Sequence, residues 1–239
     1  MFIYFSCDTK ISYNRNNSIF CKFVFVPKYS NFSINIQNQK FEKFKALHYT
    51  STPLLLPNVW DVLGASLLEE IGYPAIATSS SAIALTHGYH DGEQIPFEEH
   101  LKQVARIAKS VARPVSVDIE NGYATTDEEL QENISKFIDA GIVGINYEDS
   151  DKHTNQLINI EEQSRRIKLI KNTATQMGVS LFVNARIDTY VHGNYTDSDL
   201  QLNETLKRAK AYKEAGADCL FPIIIKDYGH ISTLVKEAD

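Results

Sequence analysis

The sequence predicts an α/β protein built as a (β/α)8 TIM-type barrel that lacks its last two βα units. From residue 41 onward, short apolar runs alternate with longer stretches of helical spacing. This alternation is typical of repeated βα units and hence of a parallel sheet, either closed as a barrel or open and doubly wound. Polar residues such as Glu148 and Arg186 end the apolar runs, and polar side chains at the carboxyl ends of the strands favour the barrel.

Each predicted strand is a short apolar run with a polar end or a turn residue beside it. The six candidates are 53–57 (PLLLP), 75–79 (AIATS), 115–120 (VSVDIE), 143–148 (VGINYE), 180–186 (SLFVNAR) and 219–225 (CLFPIII). Helical spacing of apolar residues predicts helices at about 61–71, 97–111, 127–140, 161–177, 200–215 and 229–238. Because a complete barrel of this class has eight strands, we expect the chain to stop before the last two βα units.

The chain divides at about residue 40. Residues 1–40 are rich in Asn, Ser, Phe and Ile, hold Cys7 and Cys21, and show no clear helical period. We interpret them as an N-terminal extension that packs poorly on the rest of the chain. Residues 41–239 form the predicted barrel domain, truncated at its C-terminus.

Size and composition exclude several classes of protein. The 239 residues, 43% of them hydrophobic, suffice for one buried core, since barrels of this class run to about 250 residues. A net charge of -6 argues against a nucleic-acid partner and favours a small molecule. No apolar run approaches the roughly 20 residues that span a membrane. Three widely spaced cysteines indicate neither a disulfide framework nor a zinc site, so we expect a cytoplasmic protein.

The most informative segment is 117–123, an apolar strand that ends in alternating carboxylates and a glycine. Asp118 and Glu120 are two residues apart, so on an extended strand both side chains point to the same side. Two carboxylates that converge in a barrel interior indicate a hard divalent cation such as Mg2+, since unpaired anions are costly to bury. The alternative at this spacing is a polar strand end whose carboxylates are solvated.

Seven motifs follow one another between residues 41 and 239: PNVWD at 57–61, ATSSS at 77–81, DGE at 91–93, VDIENGY at 117–123, GINYED at 144–149, NARID at 184–188, and the run 208–218. In this order they resemble the isocitrate lyase and phosphoenolpyruvate mutase superfamily, in its phosphoenolpyruvate mutase-like branch. The resemblance implies a (β/α)8 barrel and a homo-oligomer if the barrel is complete. It also implies Mg2+, with Mn2+ as an alternative, bound together with a small 2-oxo acid or its enolate.

The positions of residues in these motifs imply their roles. Four acidic residues resemble the cluster around the metal, which acts mostly through bound water: Asp91, Asp118, Glu120 and Glu148. Arg186 resembles the arginine that contacts the substrate, a task suited to its bidentate fork, and we assign catalytic roles to Arg186 and Asp118. The loop that holds the substrate carboxylate corresponds to Ser79, Ser80 and Ser81. Structural alternatives are a turn at Asp91, an ion pair between Glu148 and Arg186, and a serine turn that bonds only its own backbone.

Departures from the family patterns narrow the reaction. Isocitrate and methylisocitrate lyases carry a cysteine-containing loop after the residue that corresponds to Glu148, where this chain reads DSDKHTNQ. Ala77 stands where the mutases have a tryptophan. We expect a Mg2+-dependent lyase, mutase or hydrolase that breaks or forms a C–C or P–C bond of a small 2-oxo acid through an enolate, with a carbon–carbon lyase or a phosphonopyruvate-type hydrolase ranked first. The alternative is a catalytically incompetent, truncated barrel remnant.

Overall fold

The structure is a computed structural model, and it describes residues 31–152, 154–193 and 195–237. The strands are β1 (Asn58–Val59), β2 (Ile76–Thr78), β3 (Val115–Asp118), β4 (Gly144–Glu148), β5 (Ser150–Asp151), β6 (Gln156–Leu157), β7 (Phe182–Ile187) and β8 (Cys219–Pro222). The helices are α1 (Asn31–Leu47), α2 (Val62–Ile71), α3 (Ser80–Thr86), α4 (Phe97–Ser110), α5 (Asp127–Asp139), α6 (Ile160–Gln176), α7 (Thr189–His192), α8 (Ser198–Glu214) and α9 (Tyr228–Glu237).

The main sheet follows the order of the chain. Its strands run β1-β2-β3-β4-β7-β8, and every neighbouring pair is parallel. Helices α2, α4, α5, α6 and α8 pack each against the next in the same order. Only β5 and β6 stand apart from this sheet in the described residues, as an antiparallel hairpin after β4. Strands and helices wound in one direction are typical of a barrel, whereas a doubly wound sheet reverses its strand order at a switch point.

The predicted parallel α/β sheet is confirmed, and five of the six predicted strands overlap observed ones. The prediction at 53–57 is wrong, because the first strand begins at Asn58. Prolines at both ends of 53–57 lack the N–H that a strand donates to its neighbours. Pro57 contributes only its carbonyl, which accepts the Ala77 N–H at 2.9 Å. The absence of the last two βα units stays a prediction.

The two faces of the sheet differ in polarity. Alternate residues such as Val117, Ile145 and Val183 are fully buried and pack with the apolar faces of the helices, including Ile134 and Ile167. The residues between them along each strand are polar towards the carboxyl ends, and their side chains form the other face of the sheet. No helix in the described ranges is long and apolar enough to cross a membrane.

Helix α1 closes the amino-terminal end of the sheet. Phe41 and Phe44 are buried in a second apolar cluster that includes Phe182, with the rings of Phe44 and Phe182 5.1 Å apart. Gln37 Nε2 donates to the carbonyls of Ile138 and Ile142 at 2.9 and 2.8 Å. The predicted division at residue 40 therefore falls inside a helix that packs on the domain. The rest of the predicted extension, residues 1–30, lies outside the described residues.

His100 in α4 is a buried imidazole. Its ring lies 5.4 Å from the ring of Tyr123 and 5.8 Å from that of Phe137. Neither of its nitrogens has a hydrogen-bond partner among the described residues. Desolvation by burial, with a smaller contribution from His87, lowers the pKa of His100 to about 4.

We predict that His100→Phe reduces the loss of stability in mild acid. The unfolded chain protonates this imidazole below about pH 6.5, whereas the folded chain keeps it neutral down to about pH 4. In this window the unfolded state binds more protons, so the free energy of unfolding falls as the pH falls, by about 3 kcal/mol at most from this group. Urea titrations at pH 7 and pH 5 should show a smaller loss in His100→Phe than in the parent chain. The same loss in both proteins would exclude His100 as its source.

Candidate functional site

Polar side chains meet where neighbouring parallel strands end. In the register of the sheet Asp118 lies beside Asn146, which lies beside Asn184, and Glu148 lies beside Arg186. Asn184 Nδ2 donates to Asn146 Oδ1 at 2.7 Å. Because paired residues of a parallel sheet share a face, Asp118, Glu148 and Arg186 belong to the same surface. The structure thus brings together residues that are far apart in the sequence.

Asp118 ties the end of β3 to the start of α3. Its Oδ2 accepts the Ser80 hydroxyl at 2.7 Å, and its N–H donates to Thr78 Oγ1 at 3.1 Å. The predicted serine loop is instead the beginning of a helix, because Ser79 caps α3 by accepting the Ala82 N–H at 3.2 Å. Ser81 is half-buried in the first turn. Of the three serines, Ser80 contacts a predicted metal-site residue.

The chain turns sharply at Glu120. Strand β3 ends at Asp118, and the φ angles of Glu120, Gly122 and Tyr123 are 52°, 89° and 54°. The expectation that Asp118 and Glu120 lie on one extended strand, with both side chains on the same side of it, is therefore wrong. The two residues are still adjacent, since the Glu120 N–H lies 3.3 Å from Asp118 Oδ1. The φ of Gly122 favours glycine, and an added Cβ would lie 2.7 Å from Leu130 Cδ1, so the Leu130 side chain would have to shift.

Glu93 holds this turn in place. Its Oε1 accepts the N–H groups of Asn121 at 3.0 Å and Tyr123 at 2.8 Å, and its own N–H donates to Glu120 Oε2 at 2.8 Å. Asp91, the predicted metal-site residue of the same DGE motif, is exposed. The motif contains both carboxylates, and only the backbone turn decides which one points inward.

Glu148 pairs with two cations. Arg186 Nη1 lies 2.7 Å from Glu148 Oε2, while Arg186 Nε and Nη2 donate to Asp188 at 2.7 and 3.0 Å. The Lys152 ammonium contacts Glu148 Oε1 and lies 3.6 Å from Glu120 Oε2. The ion pair between Glu148 and Arg186 was the structural alternative in the sequence analysis. The pair exists, and both members lie on the polar face of the sheet.

Asp149 connects the end of β4 to helix α8 and to Asp188. Its Oδ2 accepts from Arg208 Nη1 at 2.9 Å and from the Tyr212 hydroxyl at 2.8 Å, and its Oδ1 accepts the Asp188 N–H at 2.8 Å. The Ser150 hydroxyl lies 2.8 Å from Asp188 Oδ2. No role was predicted for any of these residues. The sequence feature that could have indicated them is the pair of adjacent acids, Glu148 and Asp149, in GINYED. Adjacent side chains at the end of a strand point in opposite directions.

Burial makes two carboxylates of this site hard to ionise, those of Glu120 and Glu148. Glu120 and Glu148 have side chains only 1% exposed. Burial raises the pKa of Glu120 to about 8, against the attraction of Lys152. Burial likewise raises the pKa of Glu148 to about 7, against the attraction of Arg186 and Lys152. Added positive charge would stabilise both carboxylates in their ionised form.

The donor set fits a hard cation by its chemistry. Asp118, Glu120 and Glu148 present carboxylate oxygens, which Mg2+ prefers. Among the described residues no group of three His, Cys, Asp or Glu side chains is preassembled for a metal ion. Mg2+ commonly retains several waters, so carboxylates that surround it need not all touch it. The residues therefore fit a cation that is held partly through water.

A cavity of about 560 Å³ opens beside Lys152. Its walls are the segment 92–97, the turn 121–125, the β5–β6 hairpin and the start of α6. On its α6 side Arg166 donates to Asn121 Oδ1 at 3.1 Å and pairs with Glu162 at 3.0 Å. This volume is in the range of small-molecule sites.

The parallel sheet and its acidic strand ends agree with one enzyme family. The family model described as phosphoenolpyruvate phosphomutase matches residues 44–239. The chain belongs to the phosphoenolpyruvate phosphomutase family, and the resemblance to the isocitrate lyase and phosphoenolpyruvate mutase superfamily is confirmed.

Three relatives show the range of this similarity. A 2-methylisocitrate lyase of Bacillus subtilis is 29% identical over 199 residues, which cover 79% of this chain and 62% of that enzyme. A crystal structure from Burkholderia cenocepacia, described as that of a candidate phosphonomutase, is 37% identical with a TM-score of 0.80 and covers 84% of this chain and 81% of that one. A phosphonopyruvate hydrolase in complex with oxalate and Mg2+ is 25% identical with a TM-score of 0.71, over 82% of this chain and 68% of that one.

We predict that Glu93→Ala destabilises the protein. The substitution leaves the N–H groups of Asn121 and Tyr123 without their acceptor, which costs about 1–3 kcal/mol. Urea denaturation should show a decrease of this size in the free energy of unfolding. Glu70→Ala, at an exposed position of α2, is the control and should change this free energy by less than about 0.5 kcal/mol. A Glu93→Ala variant as stable as the control would rule out the role of Glu93 in the turn.

Proposed function

We propose that this chain is a Mg2+-dependent enzyme that breaks or forms a C–C or P–C bond of a small 2-oxo acid through an enolate. One observation carries the proposal: Asp118, Glu120, Glu148 and Arg186 come together at the carboxyl ends of neighbouring parallel strands. In barrels of this class the active site lies at that face. The family membership and the relatives named as a lyase and a hydrolase support the same class of reaction.

Asp118, Glu120 and Glu148 would hold the metal, directly or through water, and Asp91 stays a predicted water-mediated ligand. Bound Mg2+ supplies the positive charge that stabilises an enolate oxygen. The complex of the related phosphonopyruvate hydrolase with oxalate and Mg2+ supports this assignment. The raised pKa values of the buried carboxylates of Glu120 and Glu148 are a further support, since a bound cation would stabilise the ionised form of both.

Arg186 would bind the carboxylate or the transferring group of the substrate. Asp188 accepts from Nε and Nη2 along one edge of its guanidinium and Glu148 pairs with Nη1, so the group is oriented before any ligand arrives. Such preorganisation lowers the cost of binding an anion. We propose that Ser79 and Ser81 contact the substrate carboxylate. We propose the same contact for Ser80, whose hydroxyl and backbone N–H both donate to Asp118 Oδ2, at 2.7 and 3.4 Å, so that substrate would have to replace one of these bonds.

Cysteine acid catalysis is not part of this proposal. Cys219 is the first residue of β8 and packs beside the cluster that contains Phe44 and Phe182, at the amino-terminal end of the sheet. It is therefore at the opposite end from Asp118 and Glu148. This position agrees with a core role for Cys219, and we propose a carbon–carbon lyase or a phosphonopyruvate-type hydrolase that does not use this thiol. No observation on the described residues favours the incompetent-barrel alternative.

We further propose a cytoplasmic homo-oligomer. Helix α2 exposes apolar side chains at a spacing of four residues, namely Leu63, Leu67 and Ile71. Residues at this spacing form one line along a helix, and exposed apolar surface of this kind is typical of interfaces. The net charge of -6 supports a small-molecule partner rather than nucleic acid.

Calorimetric titration of oxalate, an analogue of the pyruvate enolate, tests the proposed function. We expect oxalate to bind in the presence of Mg2+ and not in its absence. Binding that is equally tight without the metal would reject the metal-dependent site. No binding to a folded preparation in either condition would reject the 2-oxo acid assignment.

We predict that Asp118→Asn weakens Mg2+ binding by about 10–100-fold. The amide loses the negative charge but keeps an oxygen that can accept the Ser80 hydroxyl, so the fold should persist. Calorimetry with Mg2+ measures the affinity. Asp199→Asn makes the same charge change at an exposed position of α8 and should leave the affinity unaltered. Equal affinities in both variants would remove Asp118 from the metal site.

We predict that Arg186→Lys weakens oxalate binding by about tenfold or more and changes Mg2+ affinity much less. An ammonium is a single point charge and cannot contact Glu148, Asp188 and a ligand with separate N–H edges. Oxalate titration at saturating Mg2+ measures the first effect, and metal titration measures the second. Arg106→Lys, on the exposed side of α4, is the control. Unchanged oxalate affinity in Arg186→Lys would refute this contact.

A further inference from the structure

Lys152 occupies the place between two buried carboxylates. Its ammonium contacts Glu148 Oε1 and lies 3.6 Å from Glu120 Oε2, and only 15% of its side chain is exposed. Both partners belong to the set that would hold the metal. Glu148 also pairs with Arg186, but among these contacts only Lys152 lies between Glu148 and Glu120. The ammonium is thus the positive charge at the point where a divalent cation would bind.

The backbone directs Lys152 to this place. It follows β5, and Asp151 accepts the Thr154 N–H at its Oδ1 and the Asn155 N–H at its carbonyl, both at 2.8 Å. This tight turn positions the lysine above the strand ends. Its stem passes Gly92, where an added Cβ would be 3.9 Å from Lys152 Cδ.

Lys152 also lines the cavity of about 560 Å³. Its head group contacts the carboxylates on one side, and its side chain borders open space on the other. A lysine has four rotatable side-chain bonds, so the ammonium can leave the carboxylates without movement of the strands. The ammonium can move into the cavity, whose wall contains the acidic residues Glu93, Asp151 and Glu162.

We propose that Lys152 acts as an internal counter-cation that competes with the divalent metal for Glu120 and Glu148, so that metal binding displaces its ammonium into the adjoining cavity. This inference rests on the proposed metal site. Two cations cannot occupy one position between two carboxylates, and their mutual repulsion in a buried site is strong. Before metal binds, Lys152 compensates the negative charge of Glu120 and Glu148. It thereby lowers the affinity of these two carboxylates for metal.

Metal titration of Lys152→Met tests the competition. The variant should bind Mn2+, used as a spectroscopic substitute for Mg2+, about tenfold or more tightly than the parent chain, because the competing charge is gone. Lys168→Met removes a charge from an exposed position of α6 and should bind Mn2+ like the parent. Thermal unfolding without metal and with it shows whether Lys152→Met is folded, and added metal should stabilise this variant more than the parent.

The outcomes separate this inference from the proposed function. Tighter binding by Lys152→Met, including binding seen in that variant alone, supports the competition. Binding by the parent chain that is equal or tighter than binding by Lys152→Met overturns the competition and leaves the metal site in place. Absence of Mn2+ binding in all three proteins overturns both.

Amine labelling of the parent chain tests the displacement itself. Acetic anhydride followed by mass spectrometry measures the reactivity of each lysine. Mg2+ should increase the labelling of Lys152 severalfold, since the released ammonium gains access to solvent through the cavity, and should leave Lys168 unchanged. Unchanged or reduced labelling of Lys152 at a metal concentration that saturates the site would overturn the displacement.

Discussion

Burial of carboxylates at the carboxyl ends of parallel strands is the constraint on which the rest of the site depends. A buried carboxylate is stable only when a hydrogen bond or an opposite charge compensates for lost hydration. Asp118 obtains this from Ser80, Glu148 from Arg186 and Lys152, and Asp149 from Arg208. Each partner comes from a different element, so compensation of charge also joins α3, β7, the hairpin and α8 to the strand ends.

Two adjacent acidic residues at the end of β4 have different surroundings. Glu148 faces the polar surface of the sheet, whereas its neighbour Asp149 faces α8 and binds Arg208 and Tyr212. Asp149 also accepts the Asp188 N–H, and Asp188 in turn orients Arg186. The buried network behind the sheet therefore sets the direction of the guanidinium in front of it. Such support allows a site to be preorganised before a ligand binds.

The segments that complete the site are less regular than the sheet. Glu93, Glu120 and Tyr123 all adopt positive φ, a conformation that is unfavourable for residues with a Cβ. Their mutual hydrogen bonds compensate for this strain. Glu93 and Tyr123 line the cavity beside the carboxylates together with Lys152. Variation in these segments can change the ligand while the strands and their charge network stay the same.

The sequence by itself determined the βα order, most strand positions and the family, because apolar periodicity and motif order are properties of local stretches of chain. It did not predict α1, whose Phe41 and Phe44 are stabilised only by packing under the sheet. Nor could it find the contacts of Glu93 with the turn at Glu120 or place Lys152 between Glu120 and Glu148. Those outcomes depend on partners from separate loops, some of them 27 to 30 residues away. Only the tertiary structure decides such contacts, because the energy of a buried charge depends on which groups surround it in space.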